Sequence, residues 1–288
     1  METPLVCVIM PVYNGASTIR LALQSLLAQT YRNWICVIVN DGSTDGTKEI
    51  LDSLTDTRFR VYHILKNQGR GHARQVALEH VEGDFLAYLD ADDFFHREKL
   101  KRQVEVMISD SEIDLVACAL LTFGIDGKPI NTRAKTYRDV KAFKDGNNLP
   151  ITMPTALIRI SRASKFSYNH KLNAGEDLDY FSQYLDGGRY VNLNEVLFYY
   201  FTGPTTYKKI LSYTYNDCLR GYFLIKRNFL QGVKVVVTDL FKLAAYTVGI
   251  PILGVDYFIG RRGQKTSGQD IEEYYNQLHA LNPDETTA

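Results

Sequence analysis

The chain has 288 residues, of which 45% are hydrophobic and 23% charged, a composition typical of a soluble globular protein with a sizeable core. Its 33 basic and 33 acidic side chains balance, so no overall field favours nucleic acid or an anionic surface as the main partner. The four cysteines are widely spaced and form no CxxC pair, which predicts reduced core residues in a cytosolic protein.

The first hundred residues alternate short apolar runs with amphipathic segments, which predicts a parallel sheet covered by helices. The start, METPLVCVIMPVYN, has no basic segment and no cleavage site, so it predicts a strand and not a secretion signal. In chain order the predicted elements are VCVIMPVY, STIRLALQSLLAQT, WICVIVND, TDGTKEILDSL, FRVYHIL, GHARQVALEHV and DFLAYLD. Ser17 or Thr18 is expected to cap the first helix, and Thr44 or Asp45 the second.

The second half is predicted to continue the same domain to about residue 205. DLVACALLTF, TALIRI and YVNLNEVLFYY have the composition of further strands, and the polar stretch from Gly124 to Pro154 that of a loop. We therefore expect a nucleotide-binding half over residues 1–100 and a substrate-facing half over residues 101–205. Residues 206–288 are predicted to form a helical extension.

A charge-free apolar segment, Leu243 to Val255, lies near the C-terminus. It is shorter than the roughly 20 residues of a spanning helix and contains Gly249 and Pro251, so no transmembrane segment is predicted. Three basic residues follow it: Arg261, Arg262 and Lys265. Two interpretations stay open, a helix lying on a membrane surface and a hairpin packed on its own domain. The predicted location is the cytoplasm, with peripheral contact at the inner face of the membrane under the first interpretation.

Two glycine-containing motifs follow predicted strands. In NDGSTDG, Asn40 to Gly46, Asp41 would project into the crevice beyond the carboxyl end of a parallel strand, where ligands bind; the alternative is an ordinary capped turn. In KNQGRGHARQ, Lys66 to Gln75, backbone N–H groups and Arg74 at a helix start suit a diphosphate. The second motif is neither a P-loop nor GxGxxG.

The stretch FLAYLDADDFF, residues 85–95, ends a predicted buried strand in the carboxylates of Asp90, Asp92 and Asp93. Two carboxylates about 4 Å apart repel by roughly 4 kcal/mol at an effective dielectric near 20, so the cluster requires a cation. Oxygen ligands without a nearby cysteine suit Mg²⁺ or Mn²⁺, which commonly complete their shell with substrate phosphates. The alternative is that Asp92 and Asp93 cap the next helix, HREKLKRQVEVM.

Further along, GEDLDY contains Asp177 in a glycine-containing loop before a helix, where it could be no more than an N-cap. Together, PVYN at Pro11 to Asn14, NDGSTDG, NQGRGHARQ, DADD and this ED pair resemble glycosyltransferase family 2, inverting enzymes of the GT-A fold. The resemblance is close over Val6 to Leu100 and looser through Tyr200. It implies an α/β domain with a mostly parallel central sheet flanked by helices, in which residues 101–205 bind the acceptor.

The resemblance also implies the reaction and its partners. The donor would be a nucleotide-diphosphate sugar, UDP-linked, and the acceptor a glycan or a lipid-linked glycan, in polysaccharide or glycoconjugate biosynthesis. Mn²⁺ or Mg²⁺ would be the cofactor, and nucleic acid would not be a partner. Removal of one proton by a carboxylate, with a metal stabilising the leaving diphosphate, suffices for a single inverting displacement.

Roles for individual residues follow from the same resemblance. Seven residues would bind the donor: Pro11, Val12, Tyr13, Asp41, Arg74, Asp90 and Ala91. The first three would line the base pocket, Asp41 would hydrogen-bond the nucleobase, Arg74 would face the nucleotide and Asp90 would contact ribose or sugar. Asp92 would coordinate the metal, and Asp177 would be the catalytic base.

Three positions depart from the family's usual residues. Gln75 stands where Asn is common, Arg97 where Pro often follows the acidic turn, and Phe201 where an Arg is frequent. A QxxRW motif is missing from the sequence, so processive polymer synthesis is not expected. Two other functions stay open: an inert module that binds a nucleotide sugar, and a sugar nucleotidyltransferase, although the triphosphate loop expected of the latter near the first strand is missing.

Overall fold

The strands of the sheet begin and end close to the predicted apolar runs. The computed structural model describes residues 3–143, 151–169, 171–172, 174–203, 206–226, 228–253 and 263–282. Its strands are β1 (Val6–Val12), β2 (Trp34–Asp41), β3 (Phe59–Ile64), β4 (Phe85–Tyr88), β5 (Phe94–Phe95), β6 (Ile113–Phe123), β7 (Pro129–Arg133), β8 (Arg138–Val140), β9 (Leu157–Arg159) and β10 (Arg189–Phe201). They form one ten-stranded sheet within the described residues.

The order along this sheet is β3-β2-β1-β4-β9-β6-β10-β5, with β7 paired to β6 and β8 to β10. Strands β1 to β4 pair in parallel, as do β6 and β10, so the predicted, mostly parallel central sheet is confirmed. Strand β9 is antiparallel to both of its neighbours. The prediction of a loop from Gly124 to Pro154 is wrong for β7 and β8, whose polar residues are held by backbone pairing with β6 and β10.

Helices cover both faces of the sheet. They are α1 (Ile19–Leu27), α2 (Thr47–Asp52), α3 (Arg70–Glu79), α4 (Lys99–Ser109), α5 (Ile160–Ala163), α6 (Glu176–Tyr184), α7 (Tyr207–Ile225), α8 (Phe229–Leu253) and α9 (Gly268–Leu281). Apolar residues of α1, α2 and α4 share one core with the sheet, and those of α3, α5 and α6 share another on the opposite face. This two-faced burial explains why strands β1, β2 and β6 are apolar along most of their length.

The predicted helix caps are only partly correct. Thr18 occupies the N-cap of α1, but its side chain makes no capping hydrogen bond. The N-cap of α2 is Gly46, so the prediction of Thr44 or Asp45 is wrong. Asp45 instead accepts hydrogen bonds from the N–H groups of Thr47 at 3.0 Å and Ala16 at 3.1 Å, which joins the start of α2 to the loop after β1.

Helix α9 closes one end of the sheet through aromatic packing. Tyr274 is fully buried, and its ring centroid lies 5.9 Å from that of Phe94 and 5.4 Å from that of Tyr199. The Tyr274 hydroxyl donates to the carbonyl of Gly127 at 2.8 Å. Helix α9, from the predicted extension, thus shares a core with strands of the first part. The division of the chain into residues 1–205 and 206–288 stays a prediction.

Helix α8 is longer than the apolar segment predicted from Leu243 to Val255. It has 25 residues, about 37 Å at 1.5 Å per residue, and Pro251 lies within its last turn. Its span from Phe229 to Ile252 is long and apolar enough to cross a membrane by length and composition alone. The expectation that the apolar segment is too short to span a membrane is therefore wrong, because the helix that contains it begins at Phe229. Arg261 and Arg262, two of the three basic residues that follow the apolar segment, lie outside the described residues.

Lys99 is a fully buried cation in α4. Its Nζ donates to Oε1 of Gln103 at 2.7 Å and lies 4.3 Å from the ring centroid of Phe95. Burial lowers the pKa of Lys99 from its ordinary 10.5 to about 8. The folded protein therefore binds fewer protons than the unfolded chain between about pH 8 and 10.5, and this residue makes stability rise with pH across that window.

We expect Lys99→Met to raise the free energy of unfolding at pH 7 by about 1–3 kcal/mol, because the desolvation cost of the buried ammonium exceeds the value of its hydrogen bond. The rise in stability between pH 8 and 10.5 should flatten. Urea unfolding at several pH values measures both effects, and Lys101→Met, an exposed position on the same helix, is the matched control. A destabilised Lys99→Met variant with an unchanged pH profile would contradict this account.

Candidate active site

The motifs that follow β1, β2 and β4 meet at one edge of the sheet. These strands are parallel neighbours, with Val12 beside Asn40 and Ile9 beside Tyr88, so their carboxyl ends open on the same crevice. The crevice contains a cavity of about 580 Å³, here called the larger cavity, which lies in the size range of small-molecule sites. Its lining includes seven of the predicted site residues: Pro11, Val12, Tyr13, Asp41, Asp90, Ala91 and Asp92.

Asp41 has a structural task at this edge. It is buried, and its two carboxylate oxygens accept hydrogen bonds from the backbone N–H groups of Gln68 at 2.9 Å and Gly69 at 2.8 Å. The preceding turn requires glycine, since Gly42 has a φ of +68° and a Cβ there would lie 2.5 Å from the nitrogen of Asn67. Asp41 thus holds the start of α3 against β2. Each carboxylate oxygen keeps a second lone pair, which can accept another hydrogen bond. The contact of Asp41 with a nucleobase stays a prediction.

The loops after β1 and β2 are tied together by short polar side chains. Asn14 has a φ of +52°, its N–H donates to Oγ of Ser43 at 2.9 Å, and its Oδ1 accepts from the N–H of Thr44 at 2.8 Å. The N–H of Gly15 donates to Oγ1 of Thr47 at 2.9 Å. These bonds fix one wall of the larger cavity, where Tyr13 is half exposed.

Arg74 links the DADD motif to the start of α6. Its Nη2 donates to both carboxylate oxygens of Asp90, at 2.8 and 3.1 Å, and its Nη1 donates to Oε1 of Glu176 at 2.7 Å. Nε of Arg70 donates to the same oxygen of Glu176 at 2.8 Å. Arg74 is buried and lines a smaller cavity next to the larger one. Its predicted contact with a nucleotide stays a prediction.

The contacts from Asp90 through Arg74 to Glu176 form a largely buried ionic bridge. In this bridge, charge pairing outweighs burial in setting the pKa values of Arg74 and Asp90. Burial alone would lower the pKa of Arg74, but the carboxylates of Asp90 and Glu176 outweigh it and raise that pKa well above its usual range. Burial would likewise raise the pKa of Asp90, and the guanidinium groups of Arg74 and Arg70 lower it instead. Arg74 and Asp90 are therefore both ionised, and their charges compensate each other.

The three carboxylates of DADD have different surroundings. Asp92 is exposed and lines the larger cavity. Asp93 is buried, and its Oδ1 accepts a hydrogen bond from the N–H of Phe201 at 2.7 Å. Burial and the neighbouring carboxylates raise the pKa of Asp93 well above its ordinary value. The alternative in which Asp92 and Asp93 cap the next helix is wrong, because the N-cap of α4 is Glu98.

Asp177 lies in the smaller cavity, which has a volume of about 170 Å³. The N-cap of α6 is Gly175, in the left-handed conformation, so the alternative in which Asp177 is only an N-cap is wrong. Three residues line both cavities: Arg70, Asp90 and Tyr200. Six of the seven predicted donor residues therefore line the larger cavity, whereas the seventh, Arg74, lines the smaller cavity with the predicted base.

Three carboxylates in the described part of the chain line the larger cavity: Asp41, Asp90 and Asp92. Within the described ranges, no group of three His, Cys, Asp or Glu side chains could enclose a metal. Asp90 and Asp92 both line the larger cavity, and Asp90 also pairs with Arg74. Mg²⁺ and Mn²⁺ are commonly bound by one or two carboxylates together with substrate phosphates, so the oxygens present fit an ion that arrives with a diphosphate.

Sequence reasoning missed two residues of this site: Arg70 and Glu176. Arg70 lies one helical turn before Arg74, and residues four apart share a helix face, so the spacing of the two arginines was a usable signal. Glu176 is fully buried under both guanidinium groups. No local pattern reports this, because its partners lie 102 and 106 residues away along the chain.

We expect Glu176→Ala to lower the free energy of unfolding by about 3–5 kcal/mol, since it leaves Arg74 buried without one of its two counter-charges. Urea unfolding measures the change. Glu79→Ala removes a carboxylate from an exposed position of α3 and should change stability by less than about 1 kcal/mol. Equal losses in the two variants would show that the buried bridge adds nothing specific.

Comparison with known proteins adds a family and a fold. A profile of glycosyl transferase family 2 matches residues 7–165. The putative teichuronic acid biosynthesis glycosyltransferase TuaG of Bacillus subtilis (strain 168) is 41% identical over 110 residues, which make up 38% of this chain and 44% of TuaG. The Escherichia coli UDP-Glc:alpha-D-GlcNAc-diphosphoundecaprenol beta-1,3-glucosyltransferase WfgD is 35% identical over 111 residues, again 38% of this chain and 44% of the relative. These matches span less than half the length of either relative.

Two solved structures resemble this chain over nearly its whole length. S. aureus TarS 1–349 in complex with UDP-GlcNAc has a TM-score of 0.64 and 20% identity, covering 96% of this chain and 80% of that chain. The mannosyltransferase PcManGT from Pyrobaculum calidifontis, in complex with GDP-Man and Mn²⁺, has a TM-score of 0.59 and 16% identity, covering 99% of this chain and 88% of that chain. At these identities the likeness establishes the fold, and the predicted GT-A architecture is confirmed.

Proposed function

Because the chain belongs to glycosyltransferase family 2, we propose that it transfers a sugar from a nucleotide-diphosphate sugar to a hydroxyl group of a glycan or lipid-linked acceptor. One observation carries this proposal. The larger cavity, with Asp90 and Asp92, adjoins the smaller cavity that contains Asp177. A donor in the first space and an acceptor in the second would meet where Arg70, Asp90 and Tyr200 line both.

A uridine diphosphate sugar is the proposed donor. The relative WfgD is named for UDP-Glc, and TarS was solved with UDP-GlcNAc, whereas PcManGT was solved with GDP-Man. Pro11, Val12, Tyr13 and Asp41 line the part of the larger cavity assigned to the nucleobase. Arg70 is a further phosphate ligand in this proposal, because its partly exposed guanidinium reaches both cavities and binds anions in a forked geometry.

Asp177 is the proposed catalytic base. A carboxylate in the acceptor space can take the proton of the attacking hydroxyl, which is the single proton transfer that the displacement needs. Attack from the side opposite the leaving group inverts the anomeric centre. In this scheme Glu176, the preceding residue, fixes the start of α6 through its two arginine partners and so sets where Asp177 lies.

Asp92 is the proposed protein ligand for Mn²⁺ or Mg²⁺, together with diphosphate oxygens of the donor. When bound, such an ion supplies Lewis-acid stabilisation of the leaving nucleoside diphosphate. Support comes from the position of Asp92 in the larger cavity and from the Mn²⁺ present in the PcManGT structure.

The acceptor is proposed to be a glycan or a lipid-linked glycan, reached by a cytoplasmic enzyme with peripheral contact at the inner face of the membrane. The name of WfgD specifies a diphosphoundecaprenol-linked acceptor, which is the kind of substrate that a membrane surface presents. In this chain the C-terminal region is the proposed site of that contact.

A panel of nucleotide sugars tests the proposal, first by thermal shift with and without Mn²⁺ and then by product analysis. A ligand that binds only the folded state raises stability with the logarithm of its saturation, so the correct donor should give the largest Mn²⁺-dependent shift. Release of nucleoside diphosphate is the expected reaction. Release of pyrophosphate would indicate a nucleotidyltransferase, and binding without any product in the presence of acceptor glycans would indicate an inert module.

A further inference from the structure

One side of α8 is apolar and exposed to solvent. Large hydrophobic side chains recur along it at spacings of three, four and seven residues, which place them on one helix face: Leu230, Val233, Val237, Leu240, Phe241 and Val248. Leu230 is 79% exposed and Phe241 is 73% exposed. Only 17% of the most apolar stretch of this helix is buried, so α8 is not a core helix. A contiguous, exposed apolar face of this length marks an interaction surface.

The other side of α8 is packed on α7. Val235 and Ile250 are buried. Gly221 of α7 and Gly232 of α8 let the helices approach closely, since a Cβ on Gly232 would lie 2.3 Å from the nitrogen of Ile225. The apolar face of α8 therefore points away from α7. Helices α7 and α8 together are called the hairpin below.

The sequence around α8 is strongly basic. Residues 226–265 contain seven Lys or Arg residues and two acidic residues, although the whole chain has a net charge of zero. Asp239 is the acidic residue of α8, and it is buried against Lys242 at 2.7 Å. The side chain of Lys234, in contrast, is exposed beside the apolar face. This combination of an apolar face with basic residues complements an anionic lipid surface.

The same charges disfavour insertion across the bilayer. Lys234, Asp239 and Lys242 lie in the interior of α8, and α7 carries the buried Arg220 beside Asp217, with 3.9 Å between Arg220 Nε and Asp217 Oδ1. Charged groups in the hydrocarbon centre are costly. A helix with a basic edge, packed along one side on a polar partner, is suited to lie in the plane of the interface.

The hairpin also touches the candidate active site. Tyr213 of α7 lines the larger cavity. A Cβ on Gly175, the N-cap of the helix that carries Asp177, would lie 3.4 Å from Oδ1 of Asp217. A surface that binds the hairpin would therefore hold the mouth of the site near that surface.

From these contacts we infer that the apolar face of α8 docks on an anionic lipid bilayer, with the helix parallel to the membrane plane, and that docking places the active site at the lipid surface. This assigns a face, an orientation and a lipid charge to the membrane contact proposed above. Its test needs no turnover, so its failure would leave the proposed transfer reaction untouched.

The test is co-sedimentation of the full chain with vesicles of phosphatidylcholine alone and of phosphatidylcholine mixed with phosphatidylglycerol. Binding should be at least tenfold tighter to the mixed vesicles and should weaken with added salt. The double variant Leu240→Glu with Phe241→Glu should lower binding at least tenfold. Its control, Ile108→Glu with Ile125→Glu, adds the same two negative charges at exposed apolar positions outside the hairpin and should bind like the unaltered chain.

Two outcomes would overturn the inference. One is equal loss of binding in both double variants, which would reduce the effect to net charge. The other is a chain that does not bind the mixed vesicles. If that chain also forms an oligomer that Leu240→Glu with Phe241→Glu dissociates, the apolar face is a contact between copies. Hydrogen exchange of the unaltered chain provides a check without variants, because amides of α8 should gain protection when anionic vesicles are added.

Discussion

Asp177→Asn should reduce turnover by about 10²- to 10⁴-fold while leaving the affinity for UDP unchanged. The amide keeps the size of the carboxylate but cannot accept the acceptor proton, and that proton transfer is worth about this factor. Asp177 lines the smaller cavity and is not among the residues that line the larger one, so donor binding should not depend on it. Steady-state kinetics with the donor found in the panel, and calorimetric titration with UDP and Mn²⁺, measure the two quantities.

The matched control is Asp186→Asn, which makes the same change just beyond the other end of α6, at an exposed residue. It should retain full turnover. If Asp177→Asn and Asp186→Asn were equally active, the base would have to be sought elsewhere. If Asp177→Asn lost UDP affinity in proportion to turnover, Asp177 would be a donor ligand and not a base.

Asp92→Asn should abolish the dependence of UDP binding on Mn²⁺ and lower kcat/KM by about 100-fold or more. A neutral amide is a poor ligand for a hard cation, and loss of several kcal/mol of Lewis-acid stabilisation corresponds to at least two factors of ten. Direct Mn²⁺ binding, measured by electron paramagnetic resonance in the presence of UDP, gives a readout that does not require activity.

Asp45→Asn separates a ligand effect from a general charge effect. Asp45 is an exposed carboxylate whose bonds to Ala16 and Thr47 tie together the loops of the same wall, and its amide retains an acceptor oxygen. Mn²⁺ affinity should survive this change. Unaltered Mn²⁺ binding in Asp92→Asn would remove the metal assignment, while leaving the base assignment of Asp177 to its own experiment.

The bridge from Asp90 through Arg74 to Glu176 joins these two predictions. It fixes the strand end that carries the donor motif relative to the helix that carries the proposed base. Charge-assisted hydrogen bonds between buried groups are short and directional, so this geometry is set before any ligand arrives. Glu176→Ala therefore tests, through stability, the contact that positions Asp177, whereas Asp177→Asn tests the proton transfer itself through turnover.

The sequence by itself determined the strands that carry the site. The apolar runs before Asp41 and Asp90 report burial on both faces, and the rule that parallel strands end at a common edge then places their carboxylates together. The family also followed from those local motifs. Their order and spacing are properties of the chain before it folds, so no knowledge of distant contacts was needed.

The tertiary structure alone decided what lies between and around those motifs. Strand β9 enters the sheet antiparallel between β4 and β6, and Glu176 meets two arginines about a hundred residues away. It also exposed one apolar face of α8 to solvent. Hydrophobic periodicity shows that a segment has an apolar side, but not which surface covers it, because that depends on long-range packing among alternatives of similar local energy.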